Sequence, residues 1–350
     1  DLHRENLHRR GFSDEAIERN GYRSISADFP WVNRYRKAKE QYQKLIPSIR
    51  KDNILKRRTP ERLIAGLIAA SILAKCGCEL RGVPGFFRID GVWCFNLEPG
   101  MLIPTRNAVG QIVALQVRRD KPSDWNDYCK RTGQNKEFLR YMTISAKGLP
   151  DGVTTDISQA HFPLGNDSLD DPETAVCITE GPLKADAAVE LKGNRKMFFI
   201  ALHGTSNTKT LPAIFAWLKG KGVETVFNVF DMDKVTNVNV AKAGKRVRAI
   251  AAGCGIKLAE KCWDAEYAQQ KLSELNAICC EHGIFVPTTF NVFTDLANVS
   301  QELAKRNIRH SRVKNADGLE EKHYWSDKTK GIDDYLLSIR TATGGEGASA

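Results

Sequence analysis

No stretch of this 350-residue chain is apolar for long enough to span a bilayer. The longest run, Leu63 to Ala74, falls short of the ~20 residues a spanning helix needs and reads as a buried helix. No signal peptide opens the chain, and its start at Asp1 rather than Met points to a fragment of a longer protein. The nine cysteines (Cys76, Cys78, Cys94, Cys129, Cys177, Cys254, Cys262, Cys279 and Cys280) contain no CxxC pair, which argues against a zinc ribbon. Scattered among apolar neighbours, they read as free thiols in a reducing cytoplasm. Internal repeats and low-complexity blocks are missing too, apart from a Gly/Ala/Ser-rich linker-like tail from Thr343.

What the chain has is positive charge. Fifty-two Lys and Arg against 42 Asp and Glu give a formal net charge of +10, which favours a polyanionic partner because phosphate neutralisation releases counterions. With 42% hydrophobic residues the sequence is globular, and its length allows two or three modules.

Residues 1–80 read as a basic helical region. Gly11 stops one short helix, Ser13 caps the next before Asp14 and Glu15, and Gly21 ends it. Trp31, Arg34, Tyr35, Arg36, Lys37 and Lys39 lead into a helix towards Gln43, and Lys56-Arg57-Arg58 precedes a helix start at Thr59-Pro60-Glu61. Aromatics among basic residues suit base stacking with phosphate contacts; a solvated helix with one aromatic edge in the core accounts for them equally well.

Residues 81–165 break into short alternating segments, a small antiparallel β subdomain. Met101 to Pro104 and Gln111 to Val117 flank the hairpin-like connection Arg106 to Gly110. Arg106 opens that connection, Arg118 and Arg119 close the second strand and Arg140 follows a little further on; basic groups placed so serve nucleotide phosphates or template, or are plain surface residues.

From Ala175 strand and helix signals alternate, as in a parallel α/β sheet. Strands are expected over Ala175 to Thr179, Met197 to Leu202, Thr225 to Phe230 and Ile256 to Trp263, with helices between. This domain covers 166–341, with an insertion at about 264–329 that carries helices over Glu266 to His282 and Asp295 to Arg306; residues 342–350 form the tail.

The acids fall where such a sheet binds ligands, beyond the carboxyl ends of its strands. Glu180 ends the first strand, and Asp231 and Asp233 end the third. A two-residue offset in extended chain puts both aspartates on one side, roughly 6 to 7 Å apart, suited to Mg²⁺ or Mn²⁺ with substrate phosphate completing the shell. Such an ion neutralises phosphoryl charge during transfer, leaving Glu180 as general acid/base or further ligand. Lys184, one turn on, pairs with Glu180 or reaches phosphate. Helix capping and loop solvation are the alternative uses for these acids. Lys330-Gly331-Ile332-Asp333-Asp334 opens a last helix, where acids suit the dipole.

Val176 to Asp186 (VCITEGPLKAD), Asp231-Met232-Asp233 and Lys330 to Asp334 together resemble the TOPRIM domain, in particular that of TOPRIM-like proteins of phages, plasmids and other mobile elements, often fused to a helicase. Gly85-Phe86-Phe87, Gly100 to Arg118 and Arg140-Tyr141 resemble the segment before TOPRIM there and, more distantly, the basic subdomain of bacterial replicative primases. The resemblance implies Glu180 as the TOPRIM glutamate, Asp231 and Asp233 as the metal-binding pair, Asp333 as an additional ligand, and Arg118 and Arg140 near the template or nucleotide path. It implies a DNA primase that makes primers from nucleoside triphosphates on single-stranded DNA, in phage or plasmid replication, with a fused or separate helicase. A TOPRIM nuclease and a non-catalytic loading module for a helicase are the competing readings. No transesterifying tyrosine domain of a topoisomerase is found. Two features depart from the pattern: the zinc module of bacterial primases is absent, and the insertion separates Trp263-Asp264 from Lys330.

Overall fold

The computed structural model describes residues 2–26, 30–120, 140–155, 159–308, 313–314, 320–321, 325 and 328–342. Cys129, the Trp31 side chain and the tail from Thr343 lie outside them. The chain forms two compact units, one of Asp1–Arg4, Ile17–Arg106 and Gln111–Gln159, the other of Glu5–Ala16, Asn107–Gly110 and Ala160–Ala350. No helix among the described residues is long and apolar enough to cross a membrane.

Helices α1 (Leu2–Arg9) and α2 (Asp14–Asn20) open the chain. Their ends are the expected ones: Gly11 takes a φ of +90° and Gly21 of +76°, and Ser13 Oγ accepts from Ala16 N at 3.1 Å. In the first unit follow β1 (Arg23–Ile25), α3 (Arg36–Lys51), α4 (Pro60–Lys75), β2 (Phe86–Ile89), β3 (Val92–Phe95), β4 (Gly100–Arg106), β5 (Ile112–Arg118) and β6 (Tyr141–Thr143). Strands β4 and β5 are the anticipated hairpin, at the centre of an antiparallel sheet of order β1-β4-β5-β6. β1, only three residues long, is too short to show a period in sequence. α4 starts as expected, with Pro60 in its first turn and Thr59 Oγ1 accepting from Arg62 N at 3.3 Å. It lies on the β2-β3 hairpin because Gly66 has no side chain; a Cβ there would run into the Phe95 carbonyl. Leu45, Leu63, Leu67, Phe87, Ile89 and Cys94 fill the core between α3, α4 and that hairpin.

The second unit is the α/β part. It runs β7 (Ala175–Glu180), α5 (Pro182–Leu191), β8 (Met197–Leu202), α6 (Leu211–Gly220), β9 (Thr225–Asn228), α7 (Val238–Gly253), β10 (Lys257–Glu260), α8 (Ala265–Glu281), α9 (Val292–Lys305) and α10 (Ile332–Ala342). Its four strands are parallel in the order β10-β9-β7-β8. Both faces are covered, which is why β7 reads as an unbroken apolar run. Val176 and Ile178 share one core with Leu211 and Phe215 of α6 and Val247 of α7. Cys177 points to the other, with Ala185 and Ala188 of α5 and Ile332 and Leu336 of α10. The fold class is the one expected: a parallel sheet flanked by helices, preceded in the chain by an antiparallel β part and a helical region.

The stretch read as an insertion takes part in the same core. Leu272 and Leu275 of α8 and Leu296 and Leu303 of α9 pack with Phe199 and Val229. Its ends are pinched together: Thr329 Oγ1 donates to Asp264, and Trp263 Nε1 donates to the Thr329 carbonyl at 2.6 Å. Asp264 does double duty, accepting from Tyr267 N at 3.2 Å as the N-cap of α8.

One local expectation is corrected. β9 stops at Asn228, and Met232–Val235 forms a 3-10 turn, so Asp231 and Asp233 are not alternate residues of an extended strand. The turn wins because Met232 is fully buried, its N–H donating to the Lys330 carbonyl at 2.8 Å, while Lys234 N returns to the Asp231 carbonyl at 2.9 Å.

Candidate functional site

Strand order sets the place of the site. β7 lies between β8 and β9, so the connections from β7 and β8 leave to opposite sides and open a crevice at the carboxyl ends. Glu180 is the last residue of β7, and Gly181, with φ +86°, turns the chain straight into α5 while its N–H donates to the Leu202 carbonyl at 2.6 Å. Lys184 falls in the first turn of α5, Asp231 and Asp233 on the turn beyond β9, and Asp333 and Asp334 in the first turn of α10. The backbone bond between Met232 and Lys330 brings the last two elements together.

Among the described residues, three cations face these acids. Lys184 Nζ pairs with Asp231 Oδ1 and lies 3.4 Å from Glu180 Oε1. Lys330 Nζ is 3.2 Å from Asp233 Oδ2 and 3.9 Å from Asp231 Oδ2. Arg10 Nη1 donates to Asp333 Oδ2 at 2.8 Å. Asp334 accepts from Gly331 N at 3.0 Å. Gly331 sits against the cluster: a Cβ there would press on Asp333 Oδ1 and come within 3.1 Å of Asp334 Oδ2 and 3.5 Å of Asp231 Oδ1.

Protonation follows from this packing. Burial pushes the Glu180 carboxyl up to about 8, helped by the neighbouring Asp231 charge against the pull of Lys184. Asp231 is also buried, but the Lys184 ammonium and a hydrogen bond with Glu180 outweigh that and hold it below its usual value. Glu180 is therefore the protonated member of that pair. Burial raises Asp233, and burial with the Asp334 charge raises Asp333 to about 6. Lys184 is held above its ordinary value: burial opposes the charge, and Asp231, Glu180 and Asp333 overcome it.

Among the described residues no group of three or more His, Cys, Asp and Glu side chains stands in metal-holding geometry. Two observations nevertheless fit an ion here. Oδ1 of Asp233 and Oδ1 of Asp333 are buried and accept no hydrogen bond from the described residues, a costly state for a carboxylate oxygen unless a cation or a water completes it. Gly331 keeps the space beside Asp333 Oδ1 free of a side chain.

The basic candidates belong to the first unit. Arg119 Nε pairs with Glu98 Oε1 at 2.9 Å, and Glu98 also binds Arg62, so the Arg119 charge is partly engaged. Arg118 Nε is buried with no hydrogen bond. Arg106 Nη2 donates to the Asn20 carbonyl at 3.3 Å, and Arg140 is exposed, its carbonyl accepting from Arg119 N at 2.7 Å. Arg34, Tyr35, Arg36, Lys37, Lys56 and Arg57 are exposed. Sequence reasoning missed Arg10 altogether, since no local pattern marks a partner 323 positions away. It also missed a buried pair, His161 Nε2 with Asp186 Oδ1 at 2.9 Å, close to His203 on the loop after β8. Eight cysteines are free thiols, and burial raises Cys94 and Cys177 to about 12.

No protein-family model and no curated protein sequence matches the chain. Among solved structures it is similar to the zinc-binding and RNA polymerase domains of the Aquifex aeolicus primase, at 13% identity over 87% of this chain and 54% of that one, with a TM-score of 0.39. A DNA primase domain from Pseudomonas aeruginosa is 14% identical over 74% of this chain and 63% of its own, TM-score 0.41. The RNA polymerase domain of the Mycobacterium tuberculosis primase DnaG is 13% identical over 87% of this chain and 89% of its own, TM-score 0.38. The chain thus spans 54% and 63% of the length of the first two. These likenesses are distant, and the chemistry that follows is carried by the side chains of the acidic centre.

Proposed function

We propose that this protein is a metal-dependent nucleotidyltransferase of primase type, making primers from nucleoside triphosphates on single-stranded DNA. The observation that carries the reading is the pair of buried, unpartnered oxygens, Asp233 Oδ1 and Asp333 Oδ1, in an acidic cluster at the carboxyl ends of a parallel sheet. The motif resemblance through Glu180, Asp231, Asp233 and Asp333 supports it.

In this proposal Asp233 and Asp333 offer those oxygens to the ion, with Asp231 beside them. Mg²⁺ or Mn²⁺, when bound, supplies neutralisation of phosphoryl charge and a lowered pKa for the attacking hydroxyl. Glu180, hydrogen-bonded to Asp231, is the group placed to take up or release a proton. The ammonium of Lys330, a third exposed, can turn from the aspartates to an incoming phosphate. Arg106, Arg118, Arg119 and Arg140 are assigned to template or nucleotide. A phage or plasmid replication setting, with a helicase fused or separate, is the biological role this reading favours.

The test is incorporation of labelled nucleoside triphosphates on single-stranded DNA with Mg²⁺ or Mn²⁺, beside a plasmid-nicking control. Primer synthesis that is lost in Asp233→Asn supports the proposal. Nicking without nucleotides replaces it with a nuclease, and binding alone, weakening steeply with salt, replaces it with a loading module.

A further inference from the structure

The cations at the acidic centre are not equivalent. Lys184 is the tightly held one: its backbone is fixed in the first turn of α5 by the bond from its N–H to the Gly181 carbonyl at 3.1 Å. Its side chain is 24% exposed and reaches both Asp231 Oδ1 and Glu180 Oε1. Asp231 is itself only 8% exposed at the side chain, so withdrawing Lys184 would strand a buried carboxylate. Lys330 is held loosely, 3.2 and 3.9 Å from its aspartates and 32% exposed. The unpartnered oxygens lie on Asp233 and Asp333; neither acid is hydrogen-bonded to Lys184.

An ion entering between Glu180 and Asp231 would have to expel Lys184, whereas one entering at Asp233 and Asp333 displaces nothing from those two oxygens.

Resting on the metal-dependent reading above, we propose that Lys184 is a built-in cation that occupies the Glu180–Asp231 side, so that the centre takes a single divalent ion, on Asp233 and Asp333. Lys184 is then a positioning residue for Glu180 and Asp231 rather than a group waiting for nucleotide.

Mn²⁺ titration of the full chain, followed by calorimetry and by the spin resonance of free Mn²⁺, tests this without any turnover. The wild type is expected to bind one Mn²⁺, and Lys184→Glu, which replaces the ammonium by a ligand, two. Lys184→Met removes the charge without adding a ligand and should tighten the single site about ten-fold or more, since a unit charge within several Å of a divalent ion opposes it strongly. Asp233→Asn and Asp333→Asn should each lose the ion while circular dichroism stays native. Two equal sites in the wild type, or one unchanged site in both Lys184 variants, would overturn the inference and leave the metal-dependent reading standing. No Mn²⁺ in the wild type, or full binding in both asparagine variants, would overturn the two together.

Discussion

Arg10, in the turn that follows α1, donates to Asp333 Oδ2 at 2.8 Å. Asp333 is only 3% exposed, so the guanidinium is the partner that lets a carboxylate stay charged inside the fold. Arg10→Ala should cost about 1–3 kcal/mol, the penalty for leaving a buried group without its partner, and Arg10→Lys about half as much. Urea unfolding measures it; a loss within about 0.5 kcal/mol, as for ordinary surface substitutions, would mean the pair contributes nothing.

Glu180 and Asp233 should fail in different ways. Glu180→Gln keeps size and most hydrogen bonds, so Mn²⁺ affinity and melting temperature should hold while primer synthesis falls about 10²- to 10⁴-fold. Asp233→Asn should lose activity and Mn²⁺ together. Comparing rate and calorimetric binding on the same preparations separates them; an active Glu180→Gln removes the proton-transfer role.

Gly331 has no need of glycine's backbone freedom, because its φ is not positive, yet a Cβ would strike Asp333 Oδ1 first. Gly331→Ala is therefore expected to fold with a loss of about 1–3 kcal/mol, typical of local overpacking. Mn²⁺ affinity should drop about ten-fold or more as the carboxylates are pushed apart. Unaltered affinity would show that the space beside Gly331 is not used.

The neck of the insertion offers a third kind of test. Asp264 caps α8 from a left-handed backbone with φ of +61° and also holds Thr329. Asp264→Ala should cost about 1–2 kcal/mol through the lost cap and the strain of that conformation. Because Lys330 and Asp333 follow the neck directly, Mn²⁺ binding should weaken more than global stability does. Equal melting temperatures for wild type and variant would count against the neck.

His203 supplies a pH signature. Burial, and then the neighbouring His161, depress its pKa from 6.5 to about 4. Between those values the unfolded chain binds a proton that the folded chain refuses, so the stability tied to neutral His203 is complete above pH 6.5 and is lost as pH falls towards 4. Asp333 and Glu180, with raised values, contribute with the opposite sign in the wild type and in a variant alike. His203→Gln should therefore lose less stability than wild type between pH 7 and pH 4.5. Parallel losses in urea unfolding would rule out His203 as the source.

Much of the architecture was readable from residues close to one another in the chain. Gly11, Ser13, Gly21 and Thr59-Pro60 mark helix ends because a helix terminus is satisfied within three or four positions, and the apolar run of β7 announces a strand covered on both faces. Glu180 could be placed at a strand end for the same reason.

The pairing of charges could not be read that way. That Lys184 turns to Asp231, that Arg119 is engaged by Glu98, and that Arg10 reaches Asp333 across 323 positions are outcomes of which side chains burial leaves together. Even the path through Asp231 and Asp233 was settled at a distance, by the Lys330 carbonyl that receives Met232 N and by the pinched neck that puts Lys330 there. Caps and periodicity are satisfied by near neighbours and so are spelled locally. A buried charge must find its counterion wherever the packed chain presents one, and only the tertiary structure makes that choice.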